Sequence, residues 1–133
     1  GLVLDEEGHT LESLMIGSDS MVLSTDYWHS YPTLMILRPK NLSRDEKQAI
    51  ADFGRERMLG IPYNLLTGIL KKDKQEMETI DGTHCSHLVW QCYKNAGIDL
   101  DSDGGFLVSP NDIAGSDELE LVFSFGFGET GTW

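Results

Sequence analysis

Thr83-His84-Cys85-Ser86-His87-Leu88-Val89-Trp90-Gln91-Cys92-Tyr93 is the stretch whose reading decides the rest of this chain. On a 3.6-residue period Cys85, Leu88, Val89, Cys92 and Ala96 share one stripe, while His87, Gln91 and Lys94 point elsewhere. The stretch is therefore expected to be an amphipathic helix. Gly97 stands in the usual C-terminal position, and Gly82-Thr83 offers a turn and a candidate N-cap. A thiol in the first turn lies beside unpaired backbone N–H groups and the positive end of the helix dipole. Both favour the thiolate, which is the nucleophilic form. A small apolar residue simply buried there would read the same way, and the helix alone leaves both readings open.

The chain has two cysteines. Seven residues of helix put their Cα atoms roughly 10 Å apart, beyond disulfide reach. Cys92, two turns deeper, is expected in the core and Cys85 at the surface. Without a disulfide framework, cysteine usage says nothing about compartment.

Around this helix, 133 residues with 40% hydrophobic and 24% charged content read as one domain, 1–133, with a single core. The formal net charge of -12 argues against nucleic acid or an anionic membrane surface as partner. No apolar run is long enough to span a bilayer, and no signal peptide is read.

Upstream, residues 1–15 read as a hairpin: Leu2-Val3-Leu4, a turn at Asp5 to Gly8, then Thr10 to Met15. Met21 to Ser24 is a short strand, Asp26 to Tyr31 a helical turn, and Thr33 to Leu37 a buried strand ended by Arg38-Pro39. Ser43-Arg44-Asp45-Glu46 has the capping-box spacing. It opens a helix with Ala49, Ile50, Phe53 and Met58 inward that ends near Gly60. Asn64 to Leu70 is a short apolar segment, and Lys71 to Asp81 is polar and reads as a surface loop. Downstream, Leu119, Leu121, Phe123, Phe125 and Phe127 alternate with polar residues as a half-buried strand. The fold class is α+β, with the cysteine helix packed on an antiparallel sheet.

A cysteine hydrolase needs a thiolate, a histidine to move the proton, and a polar group to orient that histidine. The histidines are His9, His29, His84 and His87. His87 lies about 200° around the helix from Cys85, and His84 is its diverging neighbour. His29, next to Trp28, reads as a surface or half-buried residue. His9, beside the first hairpin turn, is on the strand that could cross the cysteine helix. Glu12, between Leu11 and Leu14, is either a costly buried carboxylate or an outward strand residue. Asp99, Asp101, Asp103 and Gly104 match the first half of a calcium loop, but Pro110 stands where its closing Glu should be and no exit helix is expected. The reading is a solvated turn, with calcium binding as the lesser alternative. No zinc spacing or glycine-rich phosphate loop is present, so no metal or cofactor is expected.

Several segments together resemble the circularly permuted papain-like amidases of the NlpC type, the YiiX/YycO-like group. They are Gly1 to Asp5 with Gly8, Thr10 to Ser13, Leu34 to Pro39, Gly60 to Asn64, Cys85 to Trp90 running on to Ala96 to Leu100, and Val108 to Ile113. The resemblance implies a papain-like fold, Cys85 as nucleophile and Glu12 as the group orienting the histidine. It would put the histidine directly before Gly1, outside this chain. Either the natural protein continues upstream, or the lineage has lost its base, or His9 substitutes.

The resulting expectation is a cysteine hydrolase acting on a peptide or amide, bacterial cell-wall peptide by analogy, through an acyl-enzyme on Cys85. The alternatives are a catalytically inactive papain-like domain serving as a binding module, and a lipid acyl hydrolase or acyltransferase. Substrate, compartment and oligomeric state stay open.

Overall fold

The computed structural model describes residues 1–67, 69 and 79–126. These form an α+β fold with antiparallel sheets. β1 (Leu2–Val3), β2 (Thr10–Glu12) and β3 (Met21–Leu23) make a three-stranded sheet in the order β1-β2-β3. Leu2 faces Leu11, and Glu12 faces Met21. The hairpin expectation holds because Gly8, at φ 83°, takes the left-handed turn position that other residues resist. The second strand stops at Glu12, short of the expected Met15, and Met15 and Ile16 are exposed.

A short 3₁₀ helix, Thr25–Ser30, follows β3. β4 (Leu34–Pro39) pairs with β5 (Leu119–Phe125) in a separate two-stranded antiparallel ribbon, irregular between Ile36 and Leu37. Two expectations need correction here. β4 is only partly buried, and β5 buries Leu119 while Leu121, Phe123 and Phe125 are exposed. Alternation assumes a layer packed over one face. The apolar core reaches only the Leu37 and Leu119 end of the ribbon. Phe127, Leu70 and most of the polar stretch 71–81 lie outside the described residues.

α1 (Arg44–Phe53) opens on the expected capping box: the Ser43 N–H donates to Glu46 Oε2 at 2.8 Å, and the Glu46 N–H donates back to Ser43 Oγ at 3.3 Å. It widens into a π turn over Gly54–Met58. The buried stripe is Ile50, Ala51, Gly54 and Met58, a 3–4 spacing that leaves Ala49, expected inward, exposed. At Gly54 an added Cβ would sit 2.9 Å from Leu2 Cδ2 and 3.5 Å from Cys92 Sγ, so glycine lets α1, the first hairpin and the cysteine helix meet.

That helix, α2 (Cys85–Asn95), differs from the amphipathic expectation. Every residue from Ser86 to Cys92 is buried, His87 and Gln91 included, while Cys85 and Ala96 are exposed. α1, the π turn and α3 (Pro110–Gly115) pack around it, leaving no solvent face over its middle. The C-terminus is as expected: Gly97 at φ 85°, with the Ile98 N–H on the Tyr93 carbonyl at 3.0 Å and the Gly97 N–H on the Lys94 carbonyl at 2.9 Å. α3 itself is additional to the expected elements. Ser109, Pro110 at the first helical position and Asp112 give it a capping box of its own. One buried apolar cluster joins Leu2, Leu4 and Leu11 of the hairpin region to Ile50, Met58, Leu88, Trp90, Cys92 and Val108.

Candidate functional site

The start of α2 is held from three sides. The Thr83 N–H donates to the Pro62 carbonyl at 3.0 Å, and the Thr83 carbonyl accepts from the Asn64 N–H at 2.7 Å. The same carbonyl accepts from Ser13 Oγ at 3.4 Å, which ties the end of β2 to the residue two before Cys85. The N-cap is His84, in place of the expected Thr83: its Nδ1 accepts from the His87 N–H at 3.5 Å. A histidine ring nitrogen can accept as a Ser or Asp oxygen would, and Thr83 is already engaged with its Oγ1 3.0 Å from His87 Nδ1. Ser86 Oγ donates to the Val108 carbonyl at 2.7 Å, fixing the first turn of α2 to the segment before α3. Cys85 is left pointing outward at the head of an otherwise buried turn.

The two cysteines are chemically distinct. Burial pushes the Cys92 thiol up to about 12. His84 is held neutral: burial, then the neighbouring His87, lowers it from 6.5 to about 4. Its Nε2 has no hydrogen-bond partner among the described residues.

Glu12 settles the question left open by the sequence, being 2% exposed and so a buried carboxylate. Its Oε2 is 3.3 Å from the Gly1 amino nitrogen, and its Oε1 has no partner among the described residues. A Cβ on Gly1 would come within 1.7 Å of Oε1, so the carboxylate occupies the space where β1 begins. The third buried atom in this condition, Thr67 Oγ1, lies 3.0 Å from where a Gly82 Cβ would be. Among the described residues with such an atom, His84 is part of the 82–84 segment, Thr67 lies against Gly82, and Glu12 directly precedes Ser13, which bonds to Thr83. Unsatisfied polar atoms in a folded interior call for an explanation other than stability.

Over the same face of β2 lies the 3₁₀ turn. Trp28 Nε1 donates to Thr10 Oγ1 at 3.1 Å, and Thr10 and Glu12, two apart on a strand, project to the same side. The Tyr27 and Tyr31 hydroxyls are 2.7 Å apart. That bond, then burial and the negative charges of Tyr31 and Glu12, push Tyr27 up to about 12. Tyr27 and Tyr31 are absent from the candidates that the sequence supplies, although an i, i+4 aromatic pair flanking Trp28 is a readable signal.

His9 is elsewhere. Its Nδ1 is 3.0 Å from both Asp5 carboxylate oxygens, and Arg55 Nη2 is 2.7 Å from the same group. Burial raises Asp5, but the hydrogen bonds from His9 and the charges of His9 and Arg55 outweigh it and hold the carboxyl below its usual value. Three residue steps of extended chain, about 10 Å, separate His9 from Glu12. Asp5, Glu7 and His9 form one acidic grouping, and Asp101, Asp103 and Asp112 another.

In the second grouping, Asp112 accepts from the Ser109 N–H at 2.8 Å, from Ser109 Oγ at 2.6 Å and from Ser102 Oγ at 3.1 Å. Asp99, first position of the calcium-loop reading, is turned to Trp90 Nε1 at 2.7 Å and to Lys94. The short α3 does follow this loop, where no exit helix is expected from the sequence, yet it begins at Pro110 and supplies no closing carboxylate. The turn therefore departs from a calcium loop at both its first and last positions.

No family model matches the chain, and no curated protein matches it. Among solved structures, the metalloprotein YiiX from Escherichia coli O157:H7 is similar in fold, with a TM-score of 0.69 over 92% of this chain and 79% of that one, at 19% sequence identity. That likeness supports the α+β architecture. No helix among the described residues is long and apolar enough to cross a membrane.

Proposed function

We propose that this protein is a papain-like cysteine hydrolase in which Cys85 is the nucleophile and Glu12 orients the proton-transferring group. The observation that carries the reading is the contrast at the head of α2: an exposed thiol in a run of buried residues, on a helix start tied through Ser13 to the strand bearing a buried, half-satisfied carboxylate. The backbone N–H groups of Cys85 and Ser86, at the head of the helix, are suited to an oxyanion. Attack by the Cys85 thiolate on an amide or ester carbonyl gives an acyl-enzyme and releases the amine or alcohol, and water then frees the acid. A peptide or related amide is the substrate class on this reading, and the chain works as one domain. Its likeness in fold to YiiX is compatible with this reading.

The test is labelling followed by turnover. Iodoacetamide at neutral pH should modify Cys85 well ahead of Cys92, since one thiol is exposed and the other is buried with its ionisation pushed to about 12. Hydrolysis of uncharged acyl amides or esters should fall by orders of magnitude in Cys85→Ala. Equal, slow labelling of both thiols would end the hydrolase reading.

One observation favours a binding module instead. Among the described histidines, His84 at about 4 is too weak a base near neutrality, and His9 is engaged with Asp5. Absence of turnover in a chain extended upstream by a histidine would decide for that reading.

A further inference from the structure

We propose that a collar of apolar turn tips set among aspartates surrounds Cys85 and selects cationic peptides with bulky apolar side chains; this rests on the hydrolase reading above and narrows its substrate class. Three segments converge on the head of α2, each tied there by a hydrogen bond. Ser13 Oγ donates to the Thr83 carbonyl at 3.4 Å, the Asn64 N–H donates to the same carbonyl at 2.7 Å, and Ser86 Oγ donates to the Val108 carbonyl at 2.7 Å. Within three residues of its anchor, each segment exposes a large apolar side chain. Met15 and Ile16 are 63% and 81% exposed, Leu65 and Leu66 48% and 60%, and Phe106 84%. A chain advances at most about 3.6 Å per residue, so each of these five lies within about 11 Å of an anchor bonded to Thr83 or Ser86.

Single exposed apolar side chains are ordinary on a protein surface, but five on three segments around one exposed thiol need a reason. None of the five belongs to the buried core or to the half-buried residues packed on it. The first two segments lie side by side, with the Tyr63 N–H on the Ser18 carbonyl at 3.0 Å and a bridge between Asp19 and Pro62. The Met15–Ile16 tip is a closed turn, held by the Ser18 N–H on the Met15 carbonyl at 3.1 Å with Gly17 at φ 90°. Charge identifies the occupant. Residues 13–20, 60–67, 79–88 and 101–109 contain Asp19, Asp81, Asp101 and Asp103 and no lysine or arginine, in a chain of net charge -12. Asp101 and Asp103 accept from the Gly104 and Gly105 N–H groups, neutral donors that leave the negative charge in place. An extended peptide advances about 3.3 Å per residue, so side chains two to four residues from the bond that Cys85 attacks come level with the collar. Leucine or phenylalanine at those places meets the apolar tips, and lysine or arginine between them meets the aspartates. A lipid surface fits less well, because the same aspartates repel anionic headgroups.

Binding to Cys85→Ala, where no chemistry occurs, separates the collar from the hydrolase reading. Three peptides serve as probes: acetyl-Leu-Lys-Leu-Phe-Lys-Leu-amide, a version with serine at every apolar position, and a version with glutamate for lysine. Calorimetric titration should show the first binding about tenfold tighter than either of the others. In the same background Ile16→Ser and Phe106→Ser, both at exposed positions, should each weaken the first peptide about three- to tenfold. Phe125→Ser, an exposed change on the ribbon away from the collar, should leave its affinity as it was. Equal affinity for the three peptides, or a preference untouched by both collar substitutions, would overturn the collar. So would binding to phosphatidylcholine vesicles that displaces the peptide and is lost in the same two variants, because the tips would then face a lipid surface. Selective binding without turnover in the wild-type protein would uphold the collar while removing the hydrolase. Turnover of all three peptides at equal kcat/KM, without selective binding, would remove the collar and keep the hydrolase.

Discussion

His84 sits at the point where stability and the candidate chemistry meet. It caps α2 through a ring nitrogen, is 2% exposed, and is lowered to about 4 by burial and by His87. Its folded value lies below the ordinary 6.5. The unfolded chain therefore binds the proton more readily, and the neutral ring's contribution is complete above pH 6.5. As pH falls from there toward 4 that contribution is lost, by up to about 3 kcal/mol. His84→Asn keeps a capping acceptor and removes the titration. Chemical denaturation at pH 4.5 and 7 should show a smaller loss on acidification in His84→Asn than in wild type. An identical loss would assign the acid sensitivity to the carboxylates. The neutral imidazole next to Cys85 also cannot supply positive charge at pH 7, so any thiolate stabilisation there falls to the helix N-terminus.

Among the elements, what the sequence makes legible is what local chemistry dictates. The Ser43–Glu46 box, the Gly8 turn and the Gly97 terminus each need a few adjacent residues, and each is as expected. Solvent exposure is set by neighbours far along the chain, and there periodicity misleads: His87 and Gln91 are buried because α1, the π turn and α3 enclose α2, and Phe123 is exposed because the ribbon extends past the core. Cys85 is legible as an exposed thiol for a local reason, its place at the first turn, and Cys92 as core by the same helical count. Glu12 is ambiguous in the sequence because only tertiary packing decides which side of β2 is covered. α3 escapes the sequence reading although it carries its own capping signal in Ser109-Pro110-Asn111-Asp112. The two boxes differ in burial, and that yields a comparison. Ser43 and Glu46 are exposed, whereas Asp112 is buried and loses one of its hydroxyl partners when Ser109 is truncated. Ser43→Ala should cost about 0.5–1 kcal/mol and Ser109→Ala about 1–2 kcal/mol, read as shifts in urea midpoint at unchanged slope.

For the whole molecule, 22 acidic against 10 basic residues leave a net charge of -12 on 133 residues, and this decides how the protein responds to salt. Two opposing effects are screened together. Salt weakens the surface ion pairs Arg38–Glu120 and Arg44–Glu6, whose side chains are largely exposed, and such pairs contribute little. Salt also weakens the mutual repulsion of the excess carboxylates, which acts over the whole surface and opposes compaction. The screening length falls from about 30 Å at 0.01 M to about 10 Å at 0.1 M, which is comparable to the spacing of neighbouring surface charges. Repulsion summed over many pairs outweighs the few local attractions, so Tm should rise by a few degrees between 0.01 and 0.3 M sodium chloride at pH 7. A calorimetric scan that shows Tm falling over this range would mean that the local ion pairs dominate the net charge. On the proposed hydrolase reading the same excess bears on the substrate, because a net charge of this sign would repel anionic peptides at low salt. Turnover of a neutral acyl amide should accordingly be nearly salt-independent, while that of a diacidic peptide should rise as salt is added, in initial-rate measurements over the same range.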